Sequence, residues 1–309
     1  MTYAIDPELR PWLDMLPAGD LNTYEDLVRA RAERASMEFP VYTPEHELAV
    51  RDTMAGDVPV RIYSRAGRDE PRPGFVHIHG GGFVMGTIDW SDAACMERAD
   101  KLDIVVVSVD YRLAPEHPYP IPVEDCYAAL TWTASNAAEL GIDPDRLGVG
   151  GDSAGGGLTA GTVLLARDRG GPAISFQYLG IPELDDRLDT PSMTEFVDTP
   201  LWNRPRAVFS WESYLGDLKP GGEDVPVYAA PSRATDLSGL PPAVVTACQF
   251  DPLRDEDIIY AQRLMQAGVL VELRHYPGTF HGCGMIREAG VVKRMNADYL
   301  EDLRRGLKA

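Results

Sequence analysis

The sequence predicts an α/β fold: a mainly parallel central sheet with helices on both faces and a helical cap. Three observations carry this. Short, almost wholly apolar runs recur along the chain, helical patterns lie between them, and one stretch, residues 182–222, breaks the alternation. Runs that are apolar at every position read as strands buried on both sides, the signature of parallel sheets. Regular exchange of strand and helix then places helices over both faces.

The elements follow in chain order. Residues 1–45 read as an N-terminal helical cap segment, in which residues 20–34 mix charged and spaced apolar positions. Pro40 and Pro44 end it. Residues 58–64 alternate like a half-exposed strand. Buried strands are expected at 75–79, 104–109, 146–150, 174–179 and 243–248, with a last strand at 271–276. Helical patterns cover 91–102, 123–140, 154–168 and 256–267, with Gly141 and Gly268 where a helix C-cap belongs. The core is therefore expected from 46–181 and 223–309. The stretch between them holds prolines, acidic residues and the aromatics Trp202, Phe209, Trp211 and Tyr214. It is too long for an ordinary connection. It reads as a cap insertion over the carboxyl ends of the strands, where open α/β sheets bind ligands.

Composition excludes several classes. The 309 residues are 44% hydrophobic, enough for a large core, and carry a formal charge of −19. Such a chain lacks the basic surface that nucleic acid requires, and anionic membrane surfaces are disfavoured for the same reason. No apolar run approaches the ~20 residues that span a bilayer. The chain opens without a basic segment followed by an apolar stretch, so a cytoplasmic protein is expected. Self-association is left open. The four cysteines form no Cys-x-x-Cys pair, which suggests neither a zinc nor a redox site. Cys126 and Cys248 read as small core residues.

The chemistry-bearing residues begin with Gly151-Asp152-Ser153-Ala154-Gly155, a Gly-x-Ser-x-Gly pattern. The pattern alone is weak. Here it follows an expected strand and opens an expected helix, as a nucleophile elbow requires. A serine hydroxyl needs a base. Of six histidines, His281 comes just after the last expected strand, at the end where Ser153 emerges. The orienting carboxylate is expected at the end of another strand. Asp251 directly follows the run at 243–250, and Pro252 disfavours helical geometry at Asp251. Asp255 and Glu256 are rivals, placed to serve the N-terminus of the next helix. The order Ser153, Asp251, His281 is that of the α/β-hydrolase fold. His79-Gly80-Gly81-Gly82 follows a strand and offers bare backbone N–H groups to an oxyanion. With Ala154, Gly81 and Gly82 would complete the hole. His77 and His79 share a strand face, but no third metal ligand accompanies them.

The chain resembles the hormone-sensitive-lipase family of α/β-hydrolases, in the branch carrying Gly-Asp-Ser-Ala-Gly. The matching pieces are His79-Gly-Gly-Gly-Phe, Asp110-Tyr-Arg-Leu-Ala-Pro-Glu-His-Pro-Tyr-Pro, Gly151-Asp-Ser-Ala-Gly-Gly, Asp251-Pro-Leu-Arg-Asp-Glu and His281-Gly, in the family's order over residues 79–282. Within the family it is most similar to bacterial heroin-esterase-type acylesterases, through residues 179–188, 196–202 and 228–237. The resemblance implies a triad of Ser153, Asp251 and His281, an oxyanion hole of Gly81, Gly82 and Ala154, and a cap built from the N-terminal helices and residues 182–222. It implies no metal or organic cofactor. Two positions depart from the common pattern: Gly157 stands where Asn is frequent, and Cys283 where an aromatic often follows His-Gly.

The expected reaction is hydrolysis of short-acyl carboxylic esters through an acyl-enzyme, with a small-molecule ester as the partner. Phe83, Trp202, Phe209, Trp211 and Tyr214 are candidate substrate contacts, or equally cap core. The segment 110–118 is expected to form a buried polar network behind the site. Two alternatives stand beside this reading: an amidase or peptidase on the same triad, and a non-catalytic small-molecule receptor.

Overall fold

Strand β4 (Val105–Val109) shows how the sheet is built. All five residues are buried. Val105, Val107 and Val109 join one apolar cluster and Val106 the other, because successive side chains of a strand point to opposite faces. The computed structural model describes residues 3–17, 19–39, 41–67 and 70–309; the expected stop at Pro40 lies outside them.

The other strands are β1 (Leu48–Ala55), β2 (Val58–Arg65), β3 (Arg72–Ile78), β5 (Ile142–Asp152), β6 (Phe176–Gly180), β7 (Ala243–Phe250) and β8 (Val271–Phe280). They form one sheet in the order β1-β2-β4-β3-β5-β6-β7-β8. β1 and β2 pair antiparallel, β2 runs antiparallel to β4, and the remaining neighbours are parallel. The helices are α1 (Tyr24–Ala35), α2 (Ile88–Leu102), α3 (Ile121–Ser135), α4 (Ala137–Leu140), α5 (Ala154–Asp168), α6 (Pro191–Glu195), α7 (Arg204–Leu215), α8 (Arg254–Gln266) and α9 (Gly290–Leu307).

Each face has its own core. On one, Val123, Ala129 and Leu130 of α3, Leu158 to Ala166 of α5, and Tyr260 and Leu264 of α8 cover Val76, Val149 and Val245. On the other, Cys95 and Ala99 of α2 and Tyr299, Leu303 and Leu307 of α9 cover Phe75, Val106 and Phe176. The four-residue spacing on α9 makes one apolar stripe. Among the described residues, no helix is long and apolar enough to cross a membrane.

The structure adjusts several expected elements. β1 was not anticipated; it is mostly exposed and lies at the sheet edge, so no apolar period marks it. The expected helix at 123–140 breaks at Asn136, outside helical geometry, into α3 and α4. Gly141 caps α4 in the left-handed conformation. β8 runs four residues past its expected end. Pro277 and Gly278 look like a turn, but β8 is an edge strand, where a missing N–H is tolerated, and Gly278 N–H donates to the Gln249 side chain at 2.7 Å. Among the described residues of the first 45 there is less helix than expected: the 3₁₀ segment Arg10–Met15 and α1.

Residues 182–222 contribute α6 and α7. Thr190 caps α6, and Asn203 caps α7 by accepting from the Arg206 N–H. Ala207, Ser210, Trp211 and Tyr214 recur at helical spacing and are buried, so this face of α7 joins the main core with Trp202. α1 approaches the same end of the sheet. Its Arg31 donates to the Val84 and Ala114 carbonyls at 2.9 and 2.8 Å and pairs with Glu116.

Candidate active site

β5 ends at Asp152 and α5 begins at Ala154, so Ser153 occupies the turn alone. Its backbone has φ 59° and ψ −125°, a conformation that costs a non-glycine residue on the order of 1–3 kcal/mol. The neighbours over-determine it. Ser153 N–H donates to Gly180 O at 2.8 Å, and its carbonyl accepts from Gly157 and Glu183 at 3.0 and 3.1 Å. α5 is buried from Ala154 to Ala166. Gly155 is required by close approach: a Cβ there would lie 2.2 Å from Ile78 O and 2.6 Å from His79 O. The helix start therefore sits directly against the end of β3.

His281 follows β8 immediately, and Asp251 follows β7. Because β7 and β8 are parallel neighbours, both residues arrive at the same end of the sheet as Ser153. Ser153 Oγ lies 2.8 Å from His281 Nε2, and His281 Nδ1 lies 2.7 Å from Asp251 Oδ2. The remaining Asp251 oxygen accepts from Leu253 N–H at 2.9 Å. Asp251 is fully buried, while Ser153 and His281 keep 8% and 6% exposure. With Asp251 accepting from Nδ1–H, Nε2 is the basic nitrogen, as a general base for Ser153 requires.

The rival carboxylates have other partners. Asp255 accepts from Ser192 N–H at 2.8 Å and pairs with Arg254. Glu256 accepts from Leu184 and Asp185 N–H at 2.7 and 3.1 Å. Neither bonds His281.

The glycine loop after β3 is held by its carbonyls. Gly80 O is taken by His79 Nδ1 at 2.9 Å, Gly81 O by Val84 and Met85 N–H at 3.2 and 2.9 Å, and Gly82 O by the Ser210 hydroxyl at 2.9 Å. Gly81 and Gly82 have φ of 129° and 59°, which favours glycine. Among the described residues, the N–H groups of Gly81 and Gly82 have no intramolecular acceptor. Fixed carbonyls with free N–H groups are what an oxyanion hole needs. The N–H of Ala154, first residue of α5, adds the positive end of a helix.

His79 is buried, stacks on Tyr111 with centroids 4.2 Å apart, and burial pulls its pKa down to about 4. It is neutral, so Nδ1 is the donor to Gly80 O. His77 sits 3.1 Å from the Arg98 guanidinium, and burial with that charge holds it neutral.

The candidate substrate contacts divide by position. Phe83 stacks on Tyr214 at 4.1 Å and touches Trp211 at 5.4 Å; all three are almost completely buried in the core. Trp202 lies 5.6 Å from the His281 ring, and a Cβ on Gly82 would meet its indole at 2.6 Å. It alone among these aromatics is in ring contact with His281. Phe209 is partly buried beside the same cluster. Segment 110–118 departs from expectation. Tyr111 is buried and donates to His79 O at 2.9 Å, but Arg112 pairs with Asp125 while 53% exposed, and Glu116 is 40% exposed. Arg112 reaches from the surface to the buried Asp125, and Tyr111 and Ala114 are the buried residues of the segment, Ala114 N–H donating to Phe83 O at 3.0 Å.

Sequence reasoning missed Glu183 and Ser210. Glu183 is fully buried just after β6, and burial raises its pKa to about 8. Its one visible signal was a carboxylate in the apolar run Gly180-Ile-Pro-Glu-Leu.

Comparison with known proteins gives the family of the fold. Residues 75–285 match the alpha/beta hydrolase fold family. Carboxylesterase NlhH of Mycobacterium tuberculosis is 42% identical over 288 residues, covering 90% of this chain and 88% of the relative. Arylacetamide deacetylase of Bos taurus is 32% identical over 303 residues, covering 78% and 75%. Among solved structures, a bacterial heroin esterase superimposes with TM-score 0.91 at 49% identity, covering 99% of each chain.

Proposed function

We infer the mechanism from one premise: the chain belongs to the hormone-sensitive-lipase family of α/β-hydrolases and is a serine carboxylesterase. The observation that supports the residue roles is the continuous chain Ser153 Oγ, His281, Asp251 beside a glycine loop with free N–H groups.

Ser153 attacks the ester carbonyl as His281 Nε2 takes its proton. Asp251 fixes the imidazole and stabilises the imidazolium. Negative charge on the carbonyl oxygen is met by the N–H groups of Gly81, Gly82 and Ala154. His281 then protonates the leaving alcohol, activates water against the acyl-enzyme, and returns the proton to Ser153.

The proposed substrates are short-acyl esters, from acetyl to roughly hexanoyl. Trp202 beside His281 and the filled aromatic cluster behind it support a short acyl site. A chain-length series of p-nitrophenyl esters tests this; a maximum at twelve carbons or more rejects it. One relative named for an amide substrate, arylacetamide deacetylase, keeps amide cleavage as a second reading. Comparing turnover of an acetate ester with that of its acetanilide separates the two. The proposed partner is a small-molecule ester, in a cytoplasmic setting; the −19 charge supports neither nucleic acid nor an anionic membrane surface as partner.

A further inference from the structure

Glu183 lies against the nucleophile, yet the mechanism above gives it no part. Its N–H donates to the Ser153 carbonyl, and its side chain is completely buried. Gly157 makes the approach feasible: a Cβ there would lie 2.1 Å from Glu183 O. Neither carboxyl oxygen has an aligned hydrogen-bond partner. The hydroxyl within reach is that of Ser210 on α7, whose Oγ–H donates to Gly82 O at 2.9 Å.

The groups facing Glu183 are Asp251 at the end of β7, Glu256 on α8 and Tyr111 after β4. None is a cation. A buried carboxylate among them is costly, and burial holds the group neutral up to about pH 8. A neutral carboxylic acid has an O–H to donate, and a serine hydroxyl both accepts and donates. A turn of its carboxyl would let the Glu183 O–H donate to Ser210 Oγ while the Ser210 O–H keeps donating to Gly82 C=O. Once ionised, Glu183 becomes an acceptor only. The charge-assisted bond draws the Ser210 proton toward it, and Gly82 O loses its partner. Of the three glycine carbonyl contacts, this is the one a single proton reverses.

We propose that Glu183 is a positioning residue, acting through Ser210 to hold the Gly81–Gly82 loop aimed at the acyl oxygen. The inference rests on Gly81 and Gly82 being oxyanion donors. Because the oxyanion exists in the transition state, kcat carries the effect rather than KM.

The test is kcat and KM for p-nitrophenyl acetate from pH 6 to 9.5 in wild type, Glu183→Gln, Ser210→Ala and Ser153→Ala. Wild-type kcat falls about fivefold between pH 7 and pH 9, as a group titrating near 8 with a tenth of the activity left when ionised dictates. Glu183→Gln, which keeps a donor and cannot ionise, holds its pH 9 to pH 7 ratio near one. Ser210→Ala lowers kcat roughly tenfold at pH 7, leaves KM nearly unchanged, and loses the alkaline fall. An alkaline fall that persists in Glu183→Gln overturns the inference; should that variant not fold, persistence in Ser210→Ala overturns it. If Ser153→Ala remains active, the underlying mechanism fails instead.

Discussion

Ser153 Oγ and His281 Nε2 stand 2.8 Å apart although 128 residues separate them in sequence. Parallel strands make this contact. β5 and β8 deliver their carboxyl ends to one rim, and β7 between β6 and β8 delivers Asp251 to the same place. Strained backbone at Ser153 is held there by α5 and by the close approach of Gly155 to β3.

The carboxylate assignment makes the first prediction. Asp251→Asn lowers kcat by on the order of 10⁴, because an amide no longer favours the required tautomer. Asp255→Asn, which breaks contacts to Ser192 and Arg254, lowers kcat far less. Steady-state rates of the two variants decide; the reverse pattern moves the role to Asp255.

Gly155→Ala destabilises the fold as well as the site. The added Cβ meets two backbone carbonyls, at Ile78 and His79, neither of which can rotate away as a side chain could. Overpacking of this kind costs about 1–3 kcal/mol. Urea unfolding should show a lower midpoint with unchanged slope, and an unchanged midpoint would contradict the close approach.

Trp202→Ala tests the acyl site. Removing the indole beside His281 and Gly82 opens space there. The ratio of kcat/KM for hexanoate over acetate should rise by roughly tenfold, within the range that one or two methylenes of pocket space allow. An unchanged ratio places the acyl chain elsewhere.

Asp100 predicts an acid-sensitive contribution to stability. It is buried and accepts from Tyr42, from Glu45 and His46 N–H, and from the His46 ring. These bonds outweigh its desolvation and lower its pKa to about 2. A depressed carboxyl pKa stabilises the fold above the unfolded value near 4 and loses that contribution as pH falls toward 2. Asp100→Asn should therefore cost about 1.5–3 kcal/mol at pH 7, and the gap to wild type should close by pH 2. A gap independent of pH would show that the carboxylate's charge plays no part.

Fold and site are most legible in the sequence where chemistry and periodicity coincide. Ser153 was placed by its pattern, by the strand before it and by the helix after it. Asp251 and His281 were placed by strand ends, which the parallel sheet brings together. What escaped had no local signature. β1 is exposed along most of its length, so burial wrote no period into it. The continuation of β8 was hidden by Pro277 and Gly278, residues that an edge strand accommodates. The burial of Phe83, Trp211 and Tyr214 depends on how α7 sits against the loop after β3, a tertiary fact absent from the spacing of aromatics. Glu183 and Ser210 escaped for the same reason: a buried carboxyl is meaningful through its neighbours, which come from distant segments.

The most direct measurement is labelling by a fluorophosphonate together with turnover of p-nitrophenyl acetate, in wild type and in Ser153→Ala. The wild-type enzyme should take up one label per chain, on Ser153, and lose activity in proportion. Ser153→Ala should take up none and lose kcat by several orders of magnitude, roughly 10⁶ by comparison with other serine hydrolases. A Ser153→Ala enzyme that is still labelled, or keeps more than about a tenth of wild-type activity, roughly 1.4 kcal/mol of barrier, would contradict the assignment of Ser153 as the nucleophile.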